Sequence, residues 1–173
     1  MSAPSERPEA RAWSDRLAGL VWCTGIADQL PEIGAWLGQQ AGTFPPSRPE
    51  RFAPYAAPER GVALRLHYPF WDRATTCDPD QWLIADVTFD PLRAPLPFDL
   101  EAEGETVESA TGKLDPDRDD FPATRTSTFY LDDDRAVTIV FLEGGRGIET
   151  LRVTRLYGAV RFPPRSGSAV PGR

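Results

Sequence analysis

Any Cys–His or Ser–His pair in this chain would have to use His67, the one histidine among 173 residues. A nucleophile is activated by a base within hydrogen-bond reach. His67 instead follows Val62, Leu64 and Leu66 in an alternating run and falls on the opposite face. That position faces solvent or a partner. Cys23 and Cys77 form no CxxC and no zinc spacing. They are expected to be half-buried thiols in a reduced compartment, with a disulfide as the alternative. Asp115-Pro-Asp117-Arg-Asp119-Asp120 opens like a calcium loop, but Asp120 stands where the glycine belongs and Thr126 where the terminal Glu belongs. Gly144-Gly145-Arg146-Gly147 lacks the Lys-Ser/Thr of a phosphate loop and leads into a strand, so a hairpin turn is expected. Among the many acids no pair stands out as a glycosidase couple. The sequence predicts no enzyme, no metal and no cofactor.

Charge points to a binding role. Between Asp99 and Asp120 lie nine acids, opposed by Lys113 and Arg118, a balance of −7 that equals the net charge of the chain. Such a stretch repels phosphate backbones, which argues against nucleic acid. It would steer a basic partner toward the protein, or serve only as a solvated face. No apolar run is long enough for a membrane span. The polar N-terminus, MSAPSERPEARAW, carries no secretory signature, so a cytoplasmic protein is expected.

The elements that would position these groups fall into two halves. Residues 1–7 read as a disordered arm. Trp13, Leu17, Leu20 and Val21 mark one helical face, and Ile26, Leu30, Ile33 and Leu37 another. Strands are expected near 51–57, where Pro54 indicates an edge, and through the alternations Val62–Tyr68 and Leu83–Phe89. Residues 91–97, proline-rich, read as a linker between a first repeat (8–90) and a second (98–160). In the second, Val107, Ala110 and Leu114 predict a short helix, 115–122 an acidic loop, and 125–131, 135–142 and 148–157 strands. Residues 161–173 read as a flexible tail. Tyr130–Phe141 (YLDDDRAVTIVF) aligns without a gap on Tyr55–Leu66 (YAAPERGVALRL), 75 positions earlier. The expected fold class is therefore α+β. Two tandem repeats, each one or two helices followed by about three antiparallel strands, would pool their strands into one curved sheet. A sheet with helices on one face leaves the other face for a partner.

This plan resembles the tandem-repeat inhibitor fold of β-lactamase inhibitor protein and the SmpA/OmlA lipoproteins. It resembles more closely the immunity proteins that accompany polymorphic or type VI secretion toxins. Their pattern "LPFGL, G-x-T, V-x-x-x-L-G" is similar to Leu96-Pro97-Phe98, Leu100, Gly104, Thr106 and Val107 here. Asp99 replaces the glycine after Phe, and Thr111-Gly112 replaces Leu-Gly. The resemblance implies an inhibitor that occludes the active site of a cognate toxin, with a scaffold module of an envelope or secretion complex as the alternative. The contact residues expected for charge are Asp117, Asp119, Asp120, Asp132, Asp133 and Asp134. The apolar anchors expected are Phe70, Trp71 and Trp82, since aromatic side chains dominate interface centres.

Overall fold

The computed structural model describes residues 6–114, 117–131 and 135–155. Three helices, α1 (Glu6–Leu20), α2 (Leu30–Trp36) and α3 (Val107–Lys113), accompany seven strands. The strands are β1 (Phe52–Ala57), β2 (Val62–His67), β3 (Leu83–Phe89), β4 (Arg118–Phe121), β5 (Thr126–Tyr130), β6 (Arg135–Phe141) and β7 (Ile148–Arg155). They form one antiparallel sheet in the order β1-β2-β3-β7-β6-β5-β4. The fold is α+β with a single curved sheet, as the alternations predict. Among the described residues no helix is long and apolar enough to cross a membrane.

The core lies on one face of the sheet. Val62 and Leu64 of β2, Val87 and Phe89 of β3, Leu151 and Val153 of β7, Val137 and Ile139 of β6 and Phe129 of β5 are all buried there. Leu17 and Ala18 of α1, and Leu30 and Ile33 of α2, belong to the same apolar cluster. Each fully buried aliphatic or aromatic side chain stabilises the fold by about 1.5–3 kcal/mol. A capping box closes the start of α3: Ser109 N–H donates to Thr106 Oγ1, and Thr106 N–H donates to Ser109 Oγ.

The halves meet strand to strand, since β3 pairs directly with β7 from Asp86–Thr154 to Phe89–Leu151. Residues 91–97, expected to be a linker, pack against the body with Ala94 and Leu96 buried. The expected acidic loop at 115–122 contains β4 instead, paired with β5 from Arg118–Phe129 to Phe121–Thr126. The 75-residue offset aligns β1–β2, an edge hairpin, with β5–β6, which is not at an edge. The turn geometry that does recur lies at Pro58–Gly61 and Pro122–Arg125, 64 residues apart. Each is one 3₁₀ turn closed by a left-handed residue, Gly61 (φ 67°) or Arg125 (φ 54°).

At Gly61 both conformation and space demand glycine. A Cβ there would lie 2.7 Å from Arg93 Cβ and 2.8 Å from Ala94 N. Gly61→Ala is expected to destabilise the protein by about 2 kcal/mol, from left-handed strain and the forced shift of the 90–94 turn. Thermal melting checks this, and a melt unchanged from wild type would refute it.

Candidate functional site

The face of the sheet away from the core carries short polar side chains in two rows, as the register dictates. One row runs Ala56, Ala63, Thr88, Arg152, Thr138, Thr128, Asp119 across all seven strands. The next runs Pro54, Arg65, Asp86, Thr154, Ala136, Tyr130. Six strand spacings give this face a width of roughly 29 Å. A shallow cavity of about 310 Å³ lies over β1–β3, bounded by Pro54, Ala56, Ala63, Arg65, Asp86 and Thr88.

At the centre of the face sits Asp86, 4% exposed. Arg65 donates to its Oδ2 from Nε at 2.6 Å and approaches it with Nη2 at 2.5 Å. Arg152 Nη2 lies 3.1 Å from the same oxygen. A buried carboxylate needs such partners to remain charged. The Arg65 guanidinium also lies 4.9 Å over the Phe52 ring. In the Arg152 row, Thr138 and Thr128 share a hydroxyl hydrogen bond of 3.2 Å. The sequence reading missed this cluster, whose members come from three strands. Its one local signal was an acid inside the apolar run Leu83-Ile-Ala-Asp86-Val-Thr-Phe89.

Phe70 and Trp71 are exposed, at 50% and 44%. They sit on a tight turn after β2, closed by Trp71 N–H to Tyr68 O and Arg73 N–H to Phe70 O. Tyr68 is buried beneath the turn, and its hydroxyl accepts from Asp78 N–H. Trp82 corrects an expectation: it is fully buried, edge-on to Tyr68, and meets no partner. The reason is a β-bulge in the β2–β3 pairing. Arg65 faces Asp86, but Leu66 faces Ile84, so Ala85 is an extra residue. The bulge turns Trp82 and Ile84 onto the core face alongside Val87 and Phe89.

Asp119 and Asp120 are exposed on the edge strand β4, and both are engaged within the chain. The Tyr130 hydroxyl donates to Asp119. Ser127 donates to Asp120, which also pairs with Arg118. Asp117 is exposed, and its carbonyl accepts from Tyr130 N–H. Asp132, Asp133 and Asp134 lie outside the described residues. β4 is five strand spacings from β2, so these acids and the Phe70–Trp71 turn stand roughly 24 Å apart along one end of the sheet. They form two patches. Two further acids of the stretch lie elsewhere: Glu105 is buried against Lys113, and Asp99 pairs with Arg11.

His67 is built into the structure. Its Nδ1–H donates to Arg51 O at 2.6 Å, and its ring packs between Trp22 and Phe52. Cys23 and Cys77 are free, half-buried thiols. Burial and the charge of Glu50 push the Cys77 thiol up. It is a poor nucleophile at neutral pH. Among the described residues, no three His, Cys, Asp or Glu side chains are grouped to hold a metal ion.

A second concavity, about 990 Å³, lies between α1 and residues 91–103. It is lined by Arg11, Arg60 and Arg93 together with Glu9, Glu59, Glu101 and Glu103, a mixed wall with one acid in excess. Trp36 and Arg60 of its lining belong to a ladder in which Arg16 stacks over Trp13, Trp13 on Trp36, and Arg60 over Trp36. These contacts join α1, α2 and the Pro58–Gly61 turn. No family model, curated protein or solved structure matches the chain.

Proposed function

We propose that this chain is a binding protein of the immunity type, which inhibits a cognate toxin domain by covering it with the open face of its sheet. The observation that carries this is the face itself. It spans seven strands, bears threonines, alanines and one central charge cluster, and has no described helix packed upon it. A stable interface takes about 800 Å² from each partner, which a face of this width can supply. The Phe70–Trp71 turn at one end adds two aromatic anchors on a braced loop. Exposed Asp119, where β4 meets the open face, favours approach of a basic partner.

The test is co-expression with the product of the adjacent gene in a heterologous host, scored by growth. That product alone should arrest growth, and the wild-type chain should restore it. Trp71→Ala should weaken binding by about 2 kcal/mol, roughly thirtyfold, if Trp71 is a central anchor. Its melting temperature should match wild type. Reversing Asp119 or Asp120 is a poorer test, because each holds β4 to β5. Failure of the wild-type chain to restore growth sinks the proposal. Full binding by Trp71→Ala moves the anchor elsewhere on the face.

A further inference from the structure

The centre of the open face carries more positive charge than its own carboxylate can balance. Asp86 stands between two guanidiniums, Arg65 and Arg152, each a little over 40% exposed. Along the two central rows the neighbours are Pro54, Ala56, Ala63, Thr88, Thr154, Ala136, Thr138 and Thr128, all uncharged. The next carboxylate in the Arg152 row, Asp119, is three strands away, roughly 14 Å, and already accepts from Tyr130. A guanidinium offers five N–H donors. One oxygen of Asp86 accepts from Arg65 Nε–H and is ion-paired with Nη2 of Arg65 and of Arg152, while Arg152 Nε is buried without a partner. Among the described residues no acceptor meets Nη1 of either arginine.

We propose that the Arg65–Asp86–Arg152 cluster receives a carboxylate from a protein partner, an Asp or Glu side chain projecting from its docking surface. This rests on the reading that the open face docks a protein, and it specifies that partner further. Opposite the sheet centre the partner is acidic. Opposite β4 it is basic.

The physical case has three parts. The charge is complementary, since one carboxylate would neutralise the surplus cation. The donors are pre-set: Asp86 fixes both guanidiniums and Phe52 braces one, so little side-chain entropy is lost on binding. The setting is shallow and flanked by small residues, so an entering carboxylate is partly desolvated while keeping charge-assisted hydrogen bonds. Arg65 alone would balance the charge of Asp86 one to one. The second adds net charge on the surface that a partner would cover.

The test separates this inference from the inhibitor reading. The protein is titrated with N-acetyl-glutamate methylamide while the arginine Nε–H resonances are followed by NMR. The side-chain methyl ester and sodium chloride at matched ionic strength serve as controls. Arg65 and Arg152 signals should shift saturably with the acid and not with either control. Arg152→Gln, which keeps the Arg65–Asp86 pair and should melt near wild type, should weaken that response at least tenfold. Equal response to acid and ester, no response, or an unweakened response in Arg152→Gln overturns the proposal. These outcomes do not depend on whether the chain neutralises a toxin. In the growth assay Arg152→Glu should lose protection, and toxin variants selected to be neutralised again should carry Asp or Glu changed to Lys or Arg. Protection by Arg152→Glu equal to wild type also overturns the proposal, whereas failure of the wild-type chain to protect removes the inhibitor reading alone.

Discussion

Trp82→Ala is expected to lower stability by about 3–5 kcal/mol, the range for deleting a large buried aromatic side chain. For a chain of this size that is a fall in melting temperature of about 10 °C or more. Trp82 has no exposed surface, and it enters the central strand β3 directly after a 3₁₀ turn at Pro79–Gln81. Its ring lies 5.0 Å from that of Tyr68, which in turn holds the loop carrying Phe70 and Trp71. Removing it opens a cavity beneath that loop, so a binding defect would accompany the loss of stability. Trp71→Ala, exposed on the same loop, should change stability by no more than about 0.5 kcal/mol. Paired thermal melts measure both. Two equal melts would place Trp82 outside the core and contradict the bulge that turns it inward.

The contrast between these tryptophans shows where the sequence was readable. β2, β3 and β6 announce themselves by alternation, and the face assigned to Val62, Leu64 and Leu66 is the buried one. Alternation assumes an unbroken pleat, however. One extra residue at Ala85 reverses the faces upstream of it, and no local signal in Leu83-Ile-Ala-Asp86 marks the bulge. β4 was invisible for another reason. Arg118-Asp-Asp-Phe121 buries almost nothing, and its strand character comes from pairing with β5. The recurring turn was hidden because Gly61 closes one and Arg125 the other, although both residues are left-handed. The open-face cluster depends on register across β2, β3 and β7, and β3–β7 pairing joins strands far apart in the chain. Non-local pairing leaves no periodicity to read. A lone acid in a buried strand is the clue such a site leaves, because burial of an unpaired carboxylate is prohibitive.

Glu105 is a second buried acid, and its prediction follows from the same rule. Its carboxylate accepts from Lys113 Nζ at 2.8 Å, from Glu101 N–H at 2.9 Å and from the Ser109 hydroxyl. Its carbonyl accepts from Gly147 N–H at 2.7 Å. One residue therefore joins the 99–105 loop, α3 and the hairpin between β6 and β7. Burial alone pushes this carboxyl up. The hydrogen bonds from Lys113, Ser109 and Glu101, with the Lys113 charge, outweigh burial and hold it below the ordinary glutamate value. Glu105→Ala should cost about 2–3 kcal/mol, less than a wholly buried pair because Lys113 can turn to solvent. Glu108→Ala, an exposed acid in the same helix, should cost less than about 0.5 kcal/mol. The pH dependence follows from the direction of the shift. A carboxyl whose folded value lies below its unfolded value contributes fully above the unfolded value and loses that contribution as pH falls through the folded one. Wild type should thus lose its advantage over Glu105→Gln as denaturation midpoints are followed from neutral pH down through the carboxylate range. A gap between the two proteins that stays constant over that range would show that Glu105 is not held ionised by these partners.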